Sequence, residues 1–317
     1  MGAALALARR GAGRTGANPN VGCLIVAGDR LVGRGWTADG GRPHAEALAI
    51  AEAGSRARGA TAYVTLEPCA HASPRGRPCA EALIEAGVSR VVVAMTDPDP
   101  RTAGRGLARL RAAGLEVTQG VGAAEAEAEL AGFAGRLRRG RPELTLKLAL
   151  SLDGRLALAD GRSQWITGET ARLHGHALRA RADLVLVGGG TLRADRPRLD
   201  VRLPGHAGPQ PARAALTSGP VPEGWLRFDR IDALDRYAVE TGVNRILCEG
   251  GGGLAASLLE ADRVDRLVIL RAPILIGAGR GLEAMALPSL EAAHGRWVPE
   301  DSRMLGPDRL ELYRRAA

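Results

Sequence analysis

The residues most able to do chemistry are His44 and Glu46 in Pro43-His44-Ala45-Glu46, Cys69 in Glu67-Pro68-Cys69, and Cys79. Zinc takes histidine nitrogen and cysteine thiolate in a tetrahedral site, and a catalytic site leaves one position open for water. His44, Cys69 and Cys79 offer three ligands. Such a metal makes water a nucleophile near neutral pH. Attack on an amino-bearing ring carbon also needs a proton shuttle, because water loses protons and the leaving amine gains one. Glu46 stands beside a ligand without being one, as that shuttle requires. His-x-Glu alone is a weak signal. Joined in this order to Pro-Cys and a second cysteine, each part beside an expected helix start, it is specific. The competing reading is a histidine satisfied by the fold and two buried cysteines. Cys23 and Cys248 sit in apolar runs and read as buried small residues.

A second candidate is Lys147, the only lysine in a chain whose lysines and arginines total 43. A compact ammonium kept in an arginine background suggests a site where a planar guanidinium does not serve. A third is the pair of glycine runs that follow strands, Gly188-Gly189-Gly190-Thr191 and Gly250-Gly251-Gly252-Gly253. Strand, glycine run, helix is the order that cradles phosphate, since the backbone can approach and amides face the anion. The second run lacks the G-x-G-x-x-G dinucleotide fingerprint, and a plain glycine-rich turn is its alternative.

The elements that must position these groups follow from the pattern. Residues 3–10 read as a short amphipathic helix. Val21–Ala27 reads as a buried strand, and Gly28-Asp29 as a hairpin turn into Leu31–Gly35. Helices are expected at His44–Ala53, closed by Gly54, at Ala80–Ala86 and at Gly106–Ala113. Strands are expected at Thr61–Leu66, Arg90–Met95 and Leu115–Thr118. Both halves of the zinc set then lie at helix starts. Asn18 and Asn20, in a turn before the first strand, could read a pyrimidine edge or simply make the turn. An alanine- and glutamate-rich helix, Glu125–Leu137, runs into Arg138–Pro142, the expected linker. A new strand begins at Leu144–Leu150. After it come a helix at Glu169–Arg181, strands at Leu184–Val187 and Arg245–Cys248, a helix at Leu254–Ala261, a strand at Val264–Leu270, and a closing strand at Leu310–Tyr313. The result is an α/β chain of two domains, 1–141 and 142–317, the first a three-layer α/β/α unit.

Bulk numbers narrow the class. The chain has 317 residues, 45% hydrophobic and 25% charged, which suits a globular protein with substantial cores. Its apolar start meets Arg9 and Arg10 too soon for a signal peptide or membrane span, so a cytoplasmic protein is expected. Four cysteines are too few for a disulfide scaffold. The net charge of +8 is spread over scattered arginines, with no dense basic tail. Neither nucleic acid nor a membrane is therefore expected as a partner.

The first half resembles the cytidine-deaminase-like superfamily. Asn18-Pro19-Asn20-Val21-Gly22-Cys23, Pro43-His44-Ala45-Glu46 and Thr65-Leu66-Glu67-Pro68-Cys69-Ala70-His71 resemble in particular the bifunctional deaminase–reductases of riboflavin biosynthesis. The second half agrees, through Lys147 to Ser151-Leu152-Asp153-Gly154, Ser163-Gln164-Trp165-Ile166-Thr167 and Glu249-Gly250-Gly251. The resemblance implies a carboxy-terminal domain of dihydrofolate-reductase-like fold. It implies zinc-dependent deamination of 2,5-diamino-6-(5-phosphoribosylamino)pyrimidin-4(3H)-one, then NADPH-dependent reduction of the ribose to a ribityl chain. It implies a homodimer or higher homo-oligomer through the reductase domain. It gives zinc to His44, Cys69 and Cys79 and proton transfer to Glu46. Reductase substrate contacts fall on Ser163, Arg179, Leu199, Arg202 and Glu249. Cofactor contacts fall on Leu150, Trp165, Thr191, Asp195, Ser218, Gly251, Gly252, Gly253, Leu254, Ala255, Ala256 and Ser257. Lys147 is expected to polarise or protonate the sugar oxygen.

Two departures bear on this reading. The loop between Cys69 and Cys79, with Arg75 and Arg77, is longer than the family's usual version. The span from Ser218 to Glu249 is shorter, as if a strand and a helix of the reductase sheet were missing. The alternatives are therefore a deaminase whose reductase-like domain is not catalytic, and a nucleic-acid base deaminase, which would bind RNA in a salt-sensitive way.

Overall fold

A computed structural model describes residues 1–71, 76–282 and 285–316. The chain forms two compact units, Met1–Arg141 and Pro142–Ala317.

The first unit runs α1 (Gly2–Ala8), β1 (Gly22–Ala27), β2 (Arg30–Trp36), α2 (Ala45–Ala53), β3 (Thr61–Val64), α3 (Cys79–Glu85), β4 (Arg90–Val93), α4 (Arg105–Ala112), β5 (Glu116–Gln119), α5 (Ala123–Glu129) and α6 (Ala131–Arg139). Its five strands lie in the order β2-β1-β3-β4-β5. β1 is antiparallel to both neighbours, while β3, β4 and β5 run parallel.

Glycines decide how closely the helices approach this sheet. A Cβ on Gly33 would stand 2.1 Å from the Ala49 carbonyl oxygen, and one on Gly35 2.3 Å from that of Ala45. The bare strand lets α2 lie directly on β2. A Cβ on Gly22 would stand 1.9 Å from the Ala4 oxygen, so α1 sits equally close on β1. Gly35 pairs with Cys23, the residue after Gly22. Successive strand residues face opposite sides, so α1 and α2 cover opposite faces, which makes the three layers. Leu5, Ile25, Leu66, Leu83, Leu107 and Leu110 fill the core between them. The expected helix Glu125–Leu137 is two helices, α5 and α6, that meet at Leu130. Leu130 is buried in the core, and that anchor turns the chain.

The second unit runs β6 (Glu143–Leu150), α7 (Glu169–Arg179), β7 (Leu184–Gly188), α8 (Gly189–Asp195), β8 (Ala212–Leu216), β9 (Leu226–Phe228), α9 (Ile231–Thr241), β10 (Arg245–Cys248), α10 (Gly252–Glu260), β11 (Arg266–Arg271), β12 (Trp297–Leu305) and β13 (Asp308–Arg315). Its eight strands are ordered β12-β13-β11-β6-β10-β7-β8-β9. The six from β11 to β9 are parallel, and β13 and β12 are antiparallel additions at one edge.

One expectation changes here. Leu310–Tyr313 does not close the sheet: β13 lies inside, and β12 is the edge. β12 is polar and holds Pro299, so it carries no apolar alternation to read, as edge strands often do not. The span from Ser218 to Glu249 holds β9 at the far edge of the sheet, then α9, then β10 between β6 and β7. The three-residue β9 is too short to show a period.

Candidate active sites

In the first unit His44 is the N-cap of α2 and Glu46 lies in its first turn. Cys69 follows β3, and Cys79 opens α3. His44 Nδ1 lies 3.2 Å from the Cys79 sulfur and 3.7 Å from that of Cys69. The three ligand atoms all fall within 4.8 Å of one another. The Cys79 amide donates to the Cys69 sulfur at 3.3 Å. The Cys69 thiol is held down to about 4 by the hydrogen bond from Cys79, against the effect of burial, with His44 helping. The Cys79 thiol is pushed well up by that same bond and by burial. A convergent nitrogen and two sulfurs are a donor set that fits zinc. His44 Nε2 is buried and has no hydrogen-bond partner among the described residues.

Glu46 is 3% exposed. Burial pushes its carboxyl above the usual range, His44 opposes, and Cys69 adds to the rise. A carboxyl so placed exchanges protons nearer neutral pH than a solvated one.

Glu67 plays a part that its place in the motif did not disclose. It is buried and accepts four backbone amides, from Asp97 at 3.1 Å, Gly104 at 2.9 Å, Gly106 at 2.9 Å and Leu107 at 3.2 Å. This carboxylate closes the start of α4 and fixes the chain just before Cys69. Asp97 nearby is also buried, and burial pushes its carboxyl up to about 7.

The other expected residues of this unit divide. Asn20 is buried, and its amide nitrogen donates to the Ala8 carbonyl at 3.1 Å and to Glu129 at 2.9 Å. Its donors are therefore spent on the fold. Asn18 is half-buried, and its amide nitrogen would stand 2.0 Å from a Cβ on Gly41, whose φ is +85°. His71 faces the Thr102 hydroxyl at 3.1 Å and is not in the ligand cluster. Arg77 pairs with Glu85 on the exposed side of α3. Arg75 lies outside the described residues.

The second unit holds a cleft of about 1180 Å³ along the carboxyl ends of its parallel strands. Ser163, Trp165, Arg179, Thr191, Asp195, Leu199, Arg202 and Glu249 line it, as do Gly251, Gly252, Gly253, Leu254, Ser257 and Lys147. Lys147 faces it because β6 alternates: Leu146, Leu148 and Leu150 enter the core, and Lys147 takes the other side. The same alternation places the Leu150 side chain in the core, so only its backbone can face the cleft. Ala255 and Ala256 are also fully buried, on the inward face of α10, and do not line the cleft. Ser218 stands just past β8, beyond the lining residues.

Arg179, at the end of α7, donates to Glu249 at the end of β10, with Nη2 to Oε2 at 2.9 Å. Lys147 Nζ lies 4.0 Å from the same carboxylate. Burial opposes the Glu249 charge, yet the Arg179 bonds and the Lys147 charge hold its carboxyl below the usual range. Trp165 is 68% exposed at the rim, with the Arg172 guanidinium 5.0 Å from its ring centre. Leu199 is held at a φ of +53°, a strained backbone for a branched residue, and it lines the cleft.

Comparison with known proteins agrees with both sites. Residues 1–95 match the cytidine and deoxycytidylate deaminase zinc-binding region. Residues 142–291 match the RibD C-terminal domain. The riboflavin biosynthesis protein RibD of Escherichia coli K12 is 41% identical over 356 aligned positions, covering 97% of this chain and 96% of that protein. That alignment is longer than the 317 residues here, so the relative carries segments this chain lacks. A solved structure of Acinetobacter baumannii RibD matches with a TM-score of 0.90 at 35% identity, over 100% of this chain and 98% of that one. A diaminohydroxyphosphoribosylaminopyrimidine deaminase/5-amino-6-(5-phosphoribosylamino)uracil reductase from Thermotoga maritima matches at 0.89 and 30%, over 100% and 97%. Two sites of these chemistries in one chain, and similarity over its whole length, lead to one conclusion: the chain belongs to the RibD family of bifunctional deaminase–reductases of riboflavin biosynthesis.

Proposed function

We propose that the first unit hydrolyses the ring amine of 2,5-diamino-6-(5-phosphoribosylamino)pyrimidin-4(3H)-one, and that the second reduces 5-amino-6-(5-phosphoribosylamino)uracil to its ribitylamino product. The observation that carries this reading is the pairing, in one chain, of a His44–Cys69–Cys79 cluster beside buried Glu46 with a basic, glycine-walled cleft around Lys147 and Glu249. A homodimer through the second unit and cytoplasmic residence belong to the same reading. Among the described residues, no helix is long and apolar enough to cross a membrane.

Zinc held by His44 Nδ1 and the two cysteine sulfurs would supply the Lewis acid that activates water. Glu46 takes the proton that water loses and passes it to the departing amine. Its burial suits that exchange, because it raises the carboxyl above the usual range and so strengthens it as a base.

In the second unit NADPH would supply hydride to the opened sugar. Lys147 places its ammonium on the cleft face of β6, where it can protonate or polarise the sugar oxygen. Glu249 steadies that ammonium, and Arg179 steadies Glu249. Arg202 and Ser163 offer donors for the substrate phosphate and hydroxyls.

The test supplies the diaminopyrimidine with zinc and NADPH, and follows ammonia release and NADPH oxidation separately. Absence of ammonia removes the deaminase assignment. Ammonia without NADPH oxidation, even with the deaminated compound supplied directly, removes the reductase assignment.

A further inference from the structure

One face of α7 is turned to the cleft: Arg172, His176 and Arg179 follow one another at helical spacing, and all three line it. His176 meets the 200–202 segment, which carries Arg202. This segment lies outside the strands and helices, so its backbone groups need partners from elsewhere. Gln210 holds Val201 on both sides: its Oε1 accepts the Val201 amide at 2.7 Å, and its Nε2 donates to the Val201 carbonyl at 3.2 Å. The Asp200 carbonyl accepts Arg179 Nη1 at 3.0 Å. The Arg202 amide has one acceptor among the described residues, His176 Nδ1 at 3.3 Å.

These partners settle the imidazole tautomer. Nδ1 also lies 3.1 Å from the Asp200 carbonyl oxygen, but one ring nitrogen cannot donate to that oxygen and accept from the amide. The carbonyl already has a donor in Arg179, and the amide has no other acceptor among the described residues. With the hydrogen on Nε2, both backbone groups are satisfied. Burial, then the charges of Arg179 and Arg202, hold the ring below its ordinary value, against the Asp200 carbonyl and Glu249. The ring is therefore neutral and carries its hydrogen on Nε2. His176 is half-buried, and its Nε2 makes no hydrogen bond among the described residues. The arginines beside it are engaged, Arg179 with Glu249 and Arg202 with Asp200. Nε2–H is left over as a donor on this wall of the cleft.

We propose that His176 is a positioning and substrate-contact residue of the reductase site: Nδ1 pins the backbone of Arg202, and Nε2–H donates to a phosphate oxygen of the phosphoribosyl substrate. This rests on the reductase reading above. Arg198 and Arg202 both pair with the Asp200 carboxylate, and Arg179 holds its carbonyl, so three guanidinium groups gather at this wall. Such a wall favours an anion, and an N–H aimed at an anionic oxygen makes a charge-assisted bond. The same ring therefore fixes the segment that carries Arg202 and adds a donor of its own beside it.

The test measures kcat and KM for 5-amino-6-(5-phosphoribosylamino)uracil and for the same compound without its phosphate, at saturating NADPH. It compares the full-length protein with H176N, H176Q and H176L. H176N keeps an oxygen for the Arg202 amide and removes the donor to the cleft. It should raise KM for the phosphorylated substrate about tenfold, with a smaller change in kcat and none in kcat/KM for the dephosphorylated compound. H176Q, whose amide reaches as far as Nε2, should recover most of the affinity. H176L loses both contacts and should raise KM furthest. Unchanged KM in H176N and H176L, equal loss on both compounds, or no recovery in H176Q overturns the assignment. A parent protein that reduces neither compound overturns the reductase reading, and this contact with it.

Discussion

Arg179 and Glu249 form a two-point ion pair, Nη2 to Oε2 at 2.9 Å and Nε to Oε1 at 2.5 Å, with only 14% and 10% of their side chains exposed. The pair ties the end of α7 to the end of β10. Lys147 approaches the same carboxylate from β6. One carboxylate therefore sets the position of both cations.

Removing one partner leaves the other charge buried. R179L should lower the stability of the second unit by about 3–5 kcal/mol, read by urea unfolding of the full chain. Equal stability of variant and parent would show that solvent reaches the pair.

The acid limb of that stability has a definite sign. Glu249 is held below its ordinary value of 4.5 in the fold. The group thus contributes stability that is fully present above that value and is lost as the pH falls below it. E249Q should flatten this limb. An unfolding midpoint that keeps the parent's pH dependence between pH 5 and pH 3, as approximate limits, counts against the assignment.

Lys147→Met should abolish NADPH oxidation while binding of both reductase ligands and ammonia release continue. Full reductase turnover in that variant rules out proton donation by Lys147.

Glu46→Gln and Cys79→Ala separate shuttle from ligand. E46Q should keep zinc, read by metal analysis of the purified protein, and lose about 10²–10⁴-fold in ammonia release. C79A should lose both zinc and activity. Retention of both by C79A would direct attention to His71.

Gly106→Ala tests the support beneath the zinc site. A Cβ there would stand 2.1 Å from the Pro68 carbonyl oxygen, with the Glu67 carboxylate at 3.1 Å. Relief must move the segment that carries Cys69. Weaker zinc retention against a chelator is expected, together with a lower unfolding midpoint for the first unit.

Much of this was legible in the residues. The zinc set is readable because ligand chemistry demands particular side chains in a particular order, and His44 and Cys79 fall at helix starts that their neighbours announce. Lys147 stands out because it is the only lysine, and the glycine runs because turns at strand ends need them. The apolar strands β1, β6 and β7 show themselves by hydrophobic runs.

Other features needed the fold. Glu67 reads as part of a motif, but its four amide donors come from residues 97 to 107, which only folding brings to it. Asn20 could read a pyrimidine edge or make a turn from sequence alone, and its amide donors reach residues 8 and 129. The strands β9 and β12 carry no period because one is very short and the other a polar edge. Local chemistry fixes which groups can react and which turns can form. Long-range packing fixes which polar atoms are already satisfied, and only those left over can act on a ligand.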